Sequence, residues 1–309
     1  MKKTFILILA ALLALSCLAF AACSGDTVDP GQTNQPGGTQ TENSGSTPEN
    51  MIDCYIQFSG TSYTATDSSA IRVDGSSLTI IKPGTYDISG TLDNGQIAVE
   101  VTKADRVTLI LNNFTGHNES SAVIWVKSAD KVYLEIKNGT TNTLTDGATY
   151  VFANPADTKP NACIYASDDL SIKGHGTLIV TGNYNNAIGC KNDLSINNCK
   201  LTVSAVNNAI KGNGSVTVKG DAEVLVEGAE DAIKTDSLDV GKGFLLITEN
   251  AKVTVHCEDD GLQATQDITV TVGATVTTYA KGDSVNCDGT INIGEGCLTE
   301  NVPDGATVE

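Results

Sequence analysis

Aliphatic residues recur at nearly regular intervals along the second half of the chain, each following a pair of polar residues. The recurring residues are Ile164, Ile188, Ile210, Ile233, Leu262 and Val285, at steps of 24, 22, 23, 29 and 23 residues. After each comes an alternating triplet such as Leu194-Ser195-Ile196, and most repeats contain a second one. Alternation with a period of two is typical of strands, so we predict about three short strands per repeat.

Repeats of this length and composition indicate a parallel β-helix, in which each repeat forms one coil and equivalent positions stack at the ~4.8 Å spacing of neighbouring strands. We therefore predict an all-β, single-stranded parallel β-helix over residues 51–309, with coils of about 22–25 residues. A β-propeller is the alternative, but its blades usually need longer repeats with four strands. Residues 138–160 interrupt the pattern and are predicted to form one long loop.

The repeat alignment also predicts individual strands and pairings. In the repeat that begins at Ile233, the alternating triplet Leu238-Asp239-Val240 is predicted to be a strand. Further upstream, Val99-Glu100-Val101 matches Ile124-Trp125-Val126 at an offset of 25 residues, which predicts that Glu100 lies beside Trp125.

Residues 1–50 have a different character from the repeats. Residues 1–22 combine a short basic start with an apolar run, which is typical of a secretion signal. Because Cys23 directly follows small residues, we predict a lipoprotein signal in which Cys23 is lipidated, with ordinary cleavage nearby as the alternative. Residues 23–50 are polar and lack periodicity, which predicts a flexible linker. The expected location is the outer face of a bacterial membrane, which the protein contacts only through its lipid.

The chain is strongly acidic, and this charge excludes one class of partner. It has 37 acidic and 19 basic residues, for a formal net charge of −18. Nucleic acid binding requires clustered Lys and Arg, so we expect no nucleic acid partner. Cations, or ligands bound through cations, are the expected partners.

An odd number of cysteines in residues 51–309 at first suggests disulfides with one thiol left over. The cysteines are Cys54, Cys163, Cys190, Cys199, Cys257, Cys287 and Cys297. The stacking alignment places the four residues Cys190, Cys199, Cys257 and Cys287 in columns of small inward residues, with no two on neighbouring coils. We predict that these four act as small buried hydrophobic residues.

Polar pairs precede the recurring aliphatic residues, and they become acidic along the chain. The pairs are Asn185-Asn186, Asn207-Asn208, Glu230-Asp231 and Asp259-Asp260, with Asp283 in the next coil and Asp236 and Asp288 after two of the aliphatic residues. Stacked carboxylates repel unless they share a cation, and calcium with oxygens at ~2.4 Å fits between two coils. We predict a calcium site at Asp231, Asp259, Asp260 and Asp283, with Asp236 and Asp288 as further candidates. The alternative is that these side chains bond only to nearby backbone.

The residue after each recurring aliphatic residue is predicted to point outward. In coil order these residues are Glu100, Trp125, Tyr165, Gly189, Lys211, Lys234, Gln263 and Asn286. Sugars stack on aromatic rings and lysines pair with uronate carboxylates, so we predict that Trp125, Tyr165, Lys211 and Lys234 bind carbohydrate. The alternative is that the loop at residues 138–160 covers Trp125 and that the lysines are merely solvated.

The order of these motifs resembles that of a family of secreted clostridial carbohydrate-binding proteins. The resemblance rests on residues 161–172, 182–188, 230–234 and 259–264, and spans roughly residues 96–276. It implies a right-handed parallel β-helix with bound calcium, which attaches to plant cell-wall polysaccharide without catalysis; the best-known member binds cellulose and acidic pectin. This chain has Asn-Asn-Ala at residues 185–187 and 207–209, where the family often has Asp-Asp-Gly.

We therefore predict a monomeric, lipid-anchored β-helix that binds calcium and polysaccharide and is not an enzyme. A calcium-dependent pectate lyase is the first alternative, because such lyases use this fold and a lysine base, for which Lys211 and Lys234 are the candidates. A lyase also needs a group that stabilises charge at the carboxylate, and the repeats offer only Arg72 and Arg106. A surface adhesin or scaffold is the second alternative.

Overall fold

The computed structural model describes residues 52–301, whose regular structure is β except for one short 3-10 helix, Ser68–Ala70. The predicted signal peptide, Cys23 and the whole of the predicted linker lie outside these residues. Within residues 52–301, no helix has the length and apolarity needed to cross a membrane.

The strands are short and follow one another around the coils. In chain order, within residues 52–301, they are β1 (Cys54–Gly60), β2 (Ser62–Ala65), β3 (Ile71–Asp74), β4 (Ser77–Ile80), β5 (Gly84–Leu92), β6 (Ile97–Glu100), β7 (Arg106–Asn118), β8 (Ile124–Ser128), β9 (Lys131–Ile136), β10 (Thr141–Asp146), β11 (Ala162–Ala166), β12 (Asp169–Gly174), β13 (Thr177–Gly182), β14 (Asn186–Cys190), β15 (Asp193–Asn197), β16 (Lys200–Ala205), β17 (Ile210–Gly212), β18 (Ser215–Lys219), β19 (Glu223–Val226), β20 (Ile233–Lys234), β21 (Leu245–Ile247), β22 (Lys252–Cys257), β23 (Leu262–Ala264), β24 (Ile268–Val270), β25 (Thr275–Ala280), β26 (Val285–Cys287), β27 (Ile291–Ile293) and β28 (Leu298–Glu300).

Each full coil contributes one strand to each of three parallel ladders. The first ladder runs β4-β6-β8-β11-β14-β17-β20-β23-β26. The second runs β1-β5-β7-β9-β12-β15-β18-β21-β24-β27. The third runs β7-β10-β13-β16-β19-β22-β25-β28, and β7 joins the last two ladders because its 13 residues span both. The predicted parallel β-helix is confirmed.

The recurring aliphatic residues form one column inside the first ladder. Ile164 pairs with Ile188, which pairs with Ile210, and the column continues through Ile233 and Leu262. All five are buried, and equivalent columns from the other two ladders complete the core. At the N-terminal end, β1 and β4 begin their parallel ladders, and each also pairs on its other side with an antiparallel strand, β2 and β3.

The cysteines behave as the stacking alignment predicts. All seven in residues 52–301 are free thiols, and only Cys287 is less than fully buried. Cys190 stacks between Ala166 and Gly212, in a column of small residues. Burial raises the pKa of Cys190 and Cys199 to about 12, so both remain protonated.

The predicted strand Leu238-Asp239-Val240 is wrong. Leu238 and Val240 are exposed in an inserted loop, and β21 takes the place in the second ladder, between β18 and β24. The triplet at 238–240 alternates, whereas Leu245-Leu246-Ile247 in β21 belongs to a continuous apolar run, so a search for alternation selected the wrong segment. The turn at 239–243 marks the exposed segment, because Gly241 has a φ of +76° and cannot continue a strand.

The predicted pairing of Glu100 with Trp125 is wrong. Residues 97–99 pair with β8 at an offset of 27, so Ala98 lies beside Trp125, and a bulge after Val99 then places Glu100 beside Ser128. The offset of 25 holds in the second ladder but not in the first, because the turns between ladders differ in length.

The predicted loop at residues 138–160 contains a strand, β10, and only residues 147–161 form the loop. The inward positions of β10 include polar Asn142, which is fully buried. Its Oδ1 accepts from the Phe114 amide at 2.8 Å and its Nδ2 donates to Thr140 Oγ1 at 3.0 Å. Because a polar residue occupies this inward position, β10 lacks the alternation of apolar and polar residues that predicts a strand.

Candidate functional site

The polar pairs at the corner before the first ladder form a ladder of side chain to backbone hydrogen bonds. The Asn208 amide donates to Asn186 Oδ1 at 3.1 Å on the preceding coil. In the same way the Asp260 amide donates to Asp231 Oδ1 at 3.3 Å, and the Asp283 amide donates to Asp260 Oδ1 at 3.0 Å. Asn or Asp stands at this corner because either side chain satisfies a backbone N–H of the next coil. Each Asp keeps a second oxygen for other contacts.

Three carboxylates meet where this corner becomes acidic. Oxygen atoms of Asp231, Asp259 and Asp260 all lie within 4.8 Å of one another, and we call this group the corner cluster. Asp231 and Asp260 are buried, whereas Asp259 is exposed. Desolvation, followed by the charges of Asp260 and Asp231, raises the pKa of Asp259 above its ordinary value. The mutual repulsion favours binding of a cation.

The neighbours of the corner cluster offset part of its charge. Lys234 Nζ lies 2.8 Å from Asp231 Oδ2. Asp260 Oδ2 accepts from Gln263 Nε2 at 2.8 Å and from Asn286 Nδ2 at 2.7 Å. One positive charge thus faces three carboxylates, and the cluster keeps a net negative charge.

The remaining predicted metal ligands do not join the corner cluster. Asp236 forms an ion pair with Lys211, with 2.7 Å between Asp236 Oδ2 and Lys211 Nζ. Asp283 contributes its backbone amide, while its side chain is exposed, and Asp288 is also exposed. The set of carboxylates that the structure brings together is therefore smaller than the predicted set.

The outward column of the first ladder has the predicted order from Trp125 onward. Trp125 pairs with Tyr165, Tyr165 with Gly189, and Gly189 with Lys211. Lys234, Gln263 and Asn286 follow on the next coils. The aromatic and basic halves therefore lie on one line, separated by the coil of Gly189.

The two aromatic rings are not equally accessible. Tyr165 is only 5% exposed and packs with Ala122 and Ala162, whereas Trp125 is half-buried. Lys127 Nζ lies 4.6 Å from the centroid of the Trp125 ring. From the loop at residues 147–161, Lys159 Nζ lies 5.4 Å from the centroid of the Tyr165 ring. The loop thus lies over Tyr165, and Trp125 offers the larger surface for sugar stacking.

A groove of about 320 Å³ opens at the coil of Gly189. Its lining includes Lys159, Tyr165, Asn186, Gly189, Lys191 and Lys211. A Cβ on Gly189 would lie 3.1 Å from Ala162 Cβ and 3.2 Å from Tyr165 Cδ2, so the missing side chain keeps the groove open.

Sequence reasoning missed Lys159 and Lys191. Lys191 stands two residues after Gly189, and its place at the end of a strand could have indicated an outward side chain. Lys159 reaches the groove from a loop without periodicity, so the sequence contains no signal for its position.

Comparisons with known proteins place this chain among carbohydrate-binding proteins. Residues 74–301 match the profile of a family described as "Carbohydrate-binding domain-containing protein". A protein of the same description from Acetivibrio thermocellus is 37% identical over 292 residues, which is 94% of this chain and 96% of the relative. A similar solved structure is described as "Structure of the polysaccharide lyase-like protein from C. thermocellum, Gadolinium derivative"; it is 38% identical with a TM-score of 0.78, and the match covers 81% of this chain and 100% of that chain. The corner cluster and the groove lie inside residues 74–301.

Proposed function

Because the chain belongs to the carbohydrate-binding domain-containing protein family, we propose that it binds acidic plant cell-wall polysaccharide with the help of calcium bound at the corner cluster. The observation that carries the proposal is the convergence of Asp231, Asp259 and Asp260 on two neighbouring coils. In this proposal the protein stands on the outer face of the membrane, anchored by a lipid on Cys23, where such polysaccharides are accessible.

The donor atoms of the corner cluster suit calcium. Calcium prefers oxygen ligands and takes six to eight of them, and the three carboxylates supply only oxygen. Asn208, on the preceding coil of the same corner column, has a buried Oδ1 without a hydrogen-bond partner among the described residues, and is a candidate further ligand. Positions that the protein leaves open would take water or the carboxylates of a uronate polymer.

Calcium is expected to act as a folding ligand. A ligand that binds only the native state stabilises it by RT ln(1 + [L]/Kd), or ~2.7 kcal/mol at a hundredfold excess over Kd. Chelation should therefore lower the melting temperature of the purified protein, and added calcium should restore it. The measurement is a thermal unfolding curve in calcium and in chelator.

Two variants make this measurement specific. Asp260→Asn keeps an acceptor for the Asp283 amide but removes one charge from the corner cluster, so it should reduce the calcium-dependent shift. Asp288→Asn removes an exposed charge outside the cluster and should leave the shift intact. Equal melting temperatures of the parent protein in calcium and in chelator would exclude the calcium site.

A polysaccharide lyase is the second candidate, because the solved relative is described as polysaccharide lyase-like. A lyase needs a base that is free to reach the proton of the sugar, whereas the candidate bases Lys211 and Lys234 are each held in an ion pair with a carboxylate of the protein, Asp236 and Asp231. The contacts therefore support a binding protein over a lyase.

Incubation with polygalacturonate and calcium distinguishes the two candidates. We expect the protein to be retained by the polymer, with no increase in ultraviolet absorbance from unsaturated uronide ends. An increase that Lys234→Ala abolishes would instead identify a lyase. Absence of retention in both calcium and chelator would contradict binding of acidic polysaccharide.

A further inference from the structure

The groove beside Gly189 is positively charged in a protein whose formal net charge is −18. Three lysines line it, Lys159, Lys191 and Lys211, and no carboxylate is among its lining residues. Its ligand is therefore expected to be an anion rather than a cation.

Two of these three lysines have no acidic partner. Lys211 pairs with Asp236 at 2.7 Å, but within residues 52–301 neither Lys159 nor Lys191 forms an ion pair. Desolvation and the nearby charge of Lys211 lower the pKa of Lys159, in spite of the opposing charge of Asp236. An anion in the groove would relieve this repulsion and pair with both free ammonium groups.

We propose that this groove is a subsite for one carboxylated sugar unit, whose carboxylate is bound by Lys159 and Lys191. The inference rests on the proposed function, since it takes the ligand to be an acidic polysaccharide. It differs from the sequence prediction, in which Lys211 and Lys234 made these contacts; both of those lysines are already paired with carboxylates of the protein.

The shape of the groove supports a sugar over a small inorganic anion. At about 320 Å³ it is far larger than a single carboxylate requires, and the edge of the Tyr165 ring offers an apolar wall. Polar groups of Asn161, Ser167 and Asn213 at its rim can hydrogen-bond to hydroxyls. Aromatic, amide and ammonium groups around one cavity match a ring that has both hydroxyls and a carboxylate.

The subsite also lies on the path to the corner cluster. Gly189 and Lys234 stand on β14 and β20, which are two coils apart, or about 10 Å at the spacing of neighbouring strands. A chain that follows the outward column could place one carboxylate in the groove and others near bound calcium.

Calorimetric titration of the full chain with trigalacturonate in calcium tests the subsite. Lys159→Gln and Lys191→Gln keep an unbranched polar side chain but remove its charge, and each should weaken binding about tenfold, as loss of a charge-assisted hydrogen bond does. Lys252→Gln makes the same charge change on the third ladder and should have no effect beyond about twofold. Gly189→Ile should abolish binding by filling the groove.

Each outcome bears on a separate claim. Parent-like affinity of the Lys159→Gln, Lys191→Gln double variant would overturn the subsite while leaving polysaccharide binding intact. Equal losses in Lys252→Gln would overturn it too, since they would indicate attraction by overall charge. If the parent protein does not bind trigalacturonate in calcium, both the subsite and the proposed function are contradicted. Circular dichroism and melting curves test whether Gly189→Ile still folds. The lysine variants change exposed side chains, so their interpretation does not depend on the result for Gly189→Ile.

Discussion

Replacing Ile210 by alanine is expected to lower the free energy of unfolding by about 2–5 kcal/mol, the range for removing a large aliphatic side chain from a core. Ile210 is fully buried and stacks between Ile188 and Ile233. The strands above and below are fixed by hydrogen bonds along the ladder, so the column cannot collapse to close the cavity. Urea unfolding followed by circular dichroism gives the difference.

A matched control lies on the same coil. Thr217 points outward from β18 and is half-buried, so Thr217→Ala should change the free energy of unfolding by no more than about 0.5 kcal/mol. Because each coil contacts mainly its neighbours, hydrogen exchange in Ile210→Ala should accelerate near β17 before it does at β1 or β28. A loss below about 1 kcal/mol would mean that the column relaxes more easily than its packing indicates.

Replacing Asp146 by alanine is expected to lower the free energy of unfolding by about 3 kcal/mol, because it leaves the buried Tyr150 hydroxyl and the partly buried Asn183 amide without their acceptor. Asp146 is fully buried; its Oδ2 accepts from the Tyr150 hydroxyl at 2.6 Å, and its Oδ1 accepts from the Asn183 amide at 2.5 Å. Tyr150 in turn stacks on Tyr184 with 4.1 Å between ring centroids. These contacts hold the start of the loop that carries Lys159, so the variant should also weaken binding of acidic sugars.

The same carboxyl group predicts a dependence on pH. Burial raises the pKa of Asp146 above its ordinary value of 3.8, in spite of the hydrogen bonds from Tyr150 and Asn183. Between the unfolded and native pKa values the native state binds more protons, so this group lowers stability as the pH rises through that interval. Asp146→Asn, which stays neutral, should remove this decrease.

Urea unfolding of the parent and of Asp146→Asn from pH 3 upward makes the comparison. As the pH rises above the ordinary pKa of aspartate, the free energy of unfolding of the parent should fall relative to that of Asp146→Asn. The difference should level off once the pH exceeds the native pKa of Asp146. Parallel curves throughout would mean that Asp146 keeps an ordinary pKa.

Stacking of the coils followed from the sequence because one physical rule, alternation of buried and exposed positions, repeats in every coil. The rule located the column from Ile164 to Leu262 and the outward line from Trp125 to Lys234 correctly. It failed where a coil departs from alternation. Because Asn142 is polar although buried, β10 was not predicted. Because the exposed triplet beginning at Leu238 alternates, it was predicted as a strand although it is a loop.

The charge environment of the site was less predictable. The sequence placed Lys211 and Lys234 on the outward line, but their ion pairs depend on side-chain directions at the corner and on the inserted loop after Asp236. Lys159 approaches Tyr165 from a separate loop. Such contacts join parts of the chain that no repeat relates, so periodicity contains no information about them.

The side chain to backbone hydrogen bonds at the corner before the first ladder allow single mutations to change the charge of that corner. Asn186, Asp231 and Asp260 each accept the backbone amide of the next coil through the same side-chain oxygen, whether the residue is an amide or an acid. The codons of Asn and Asp differ at a single base. One point mutation can therefore add or remove a negative charge on a chosen coil while the ladder hydrogen bond stays in place. Related chains can therefore come to bind different numbers of cations, and each intermediate sequence between them still folds.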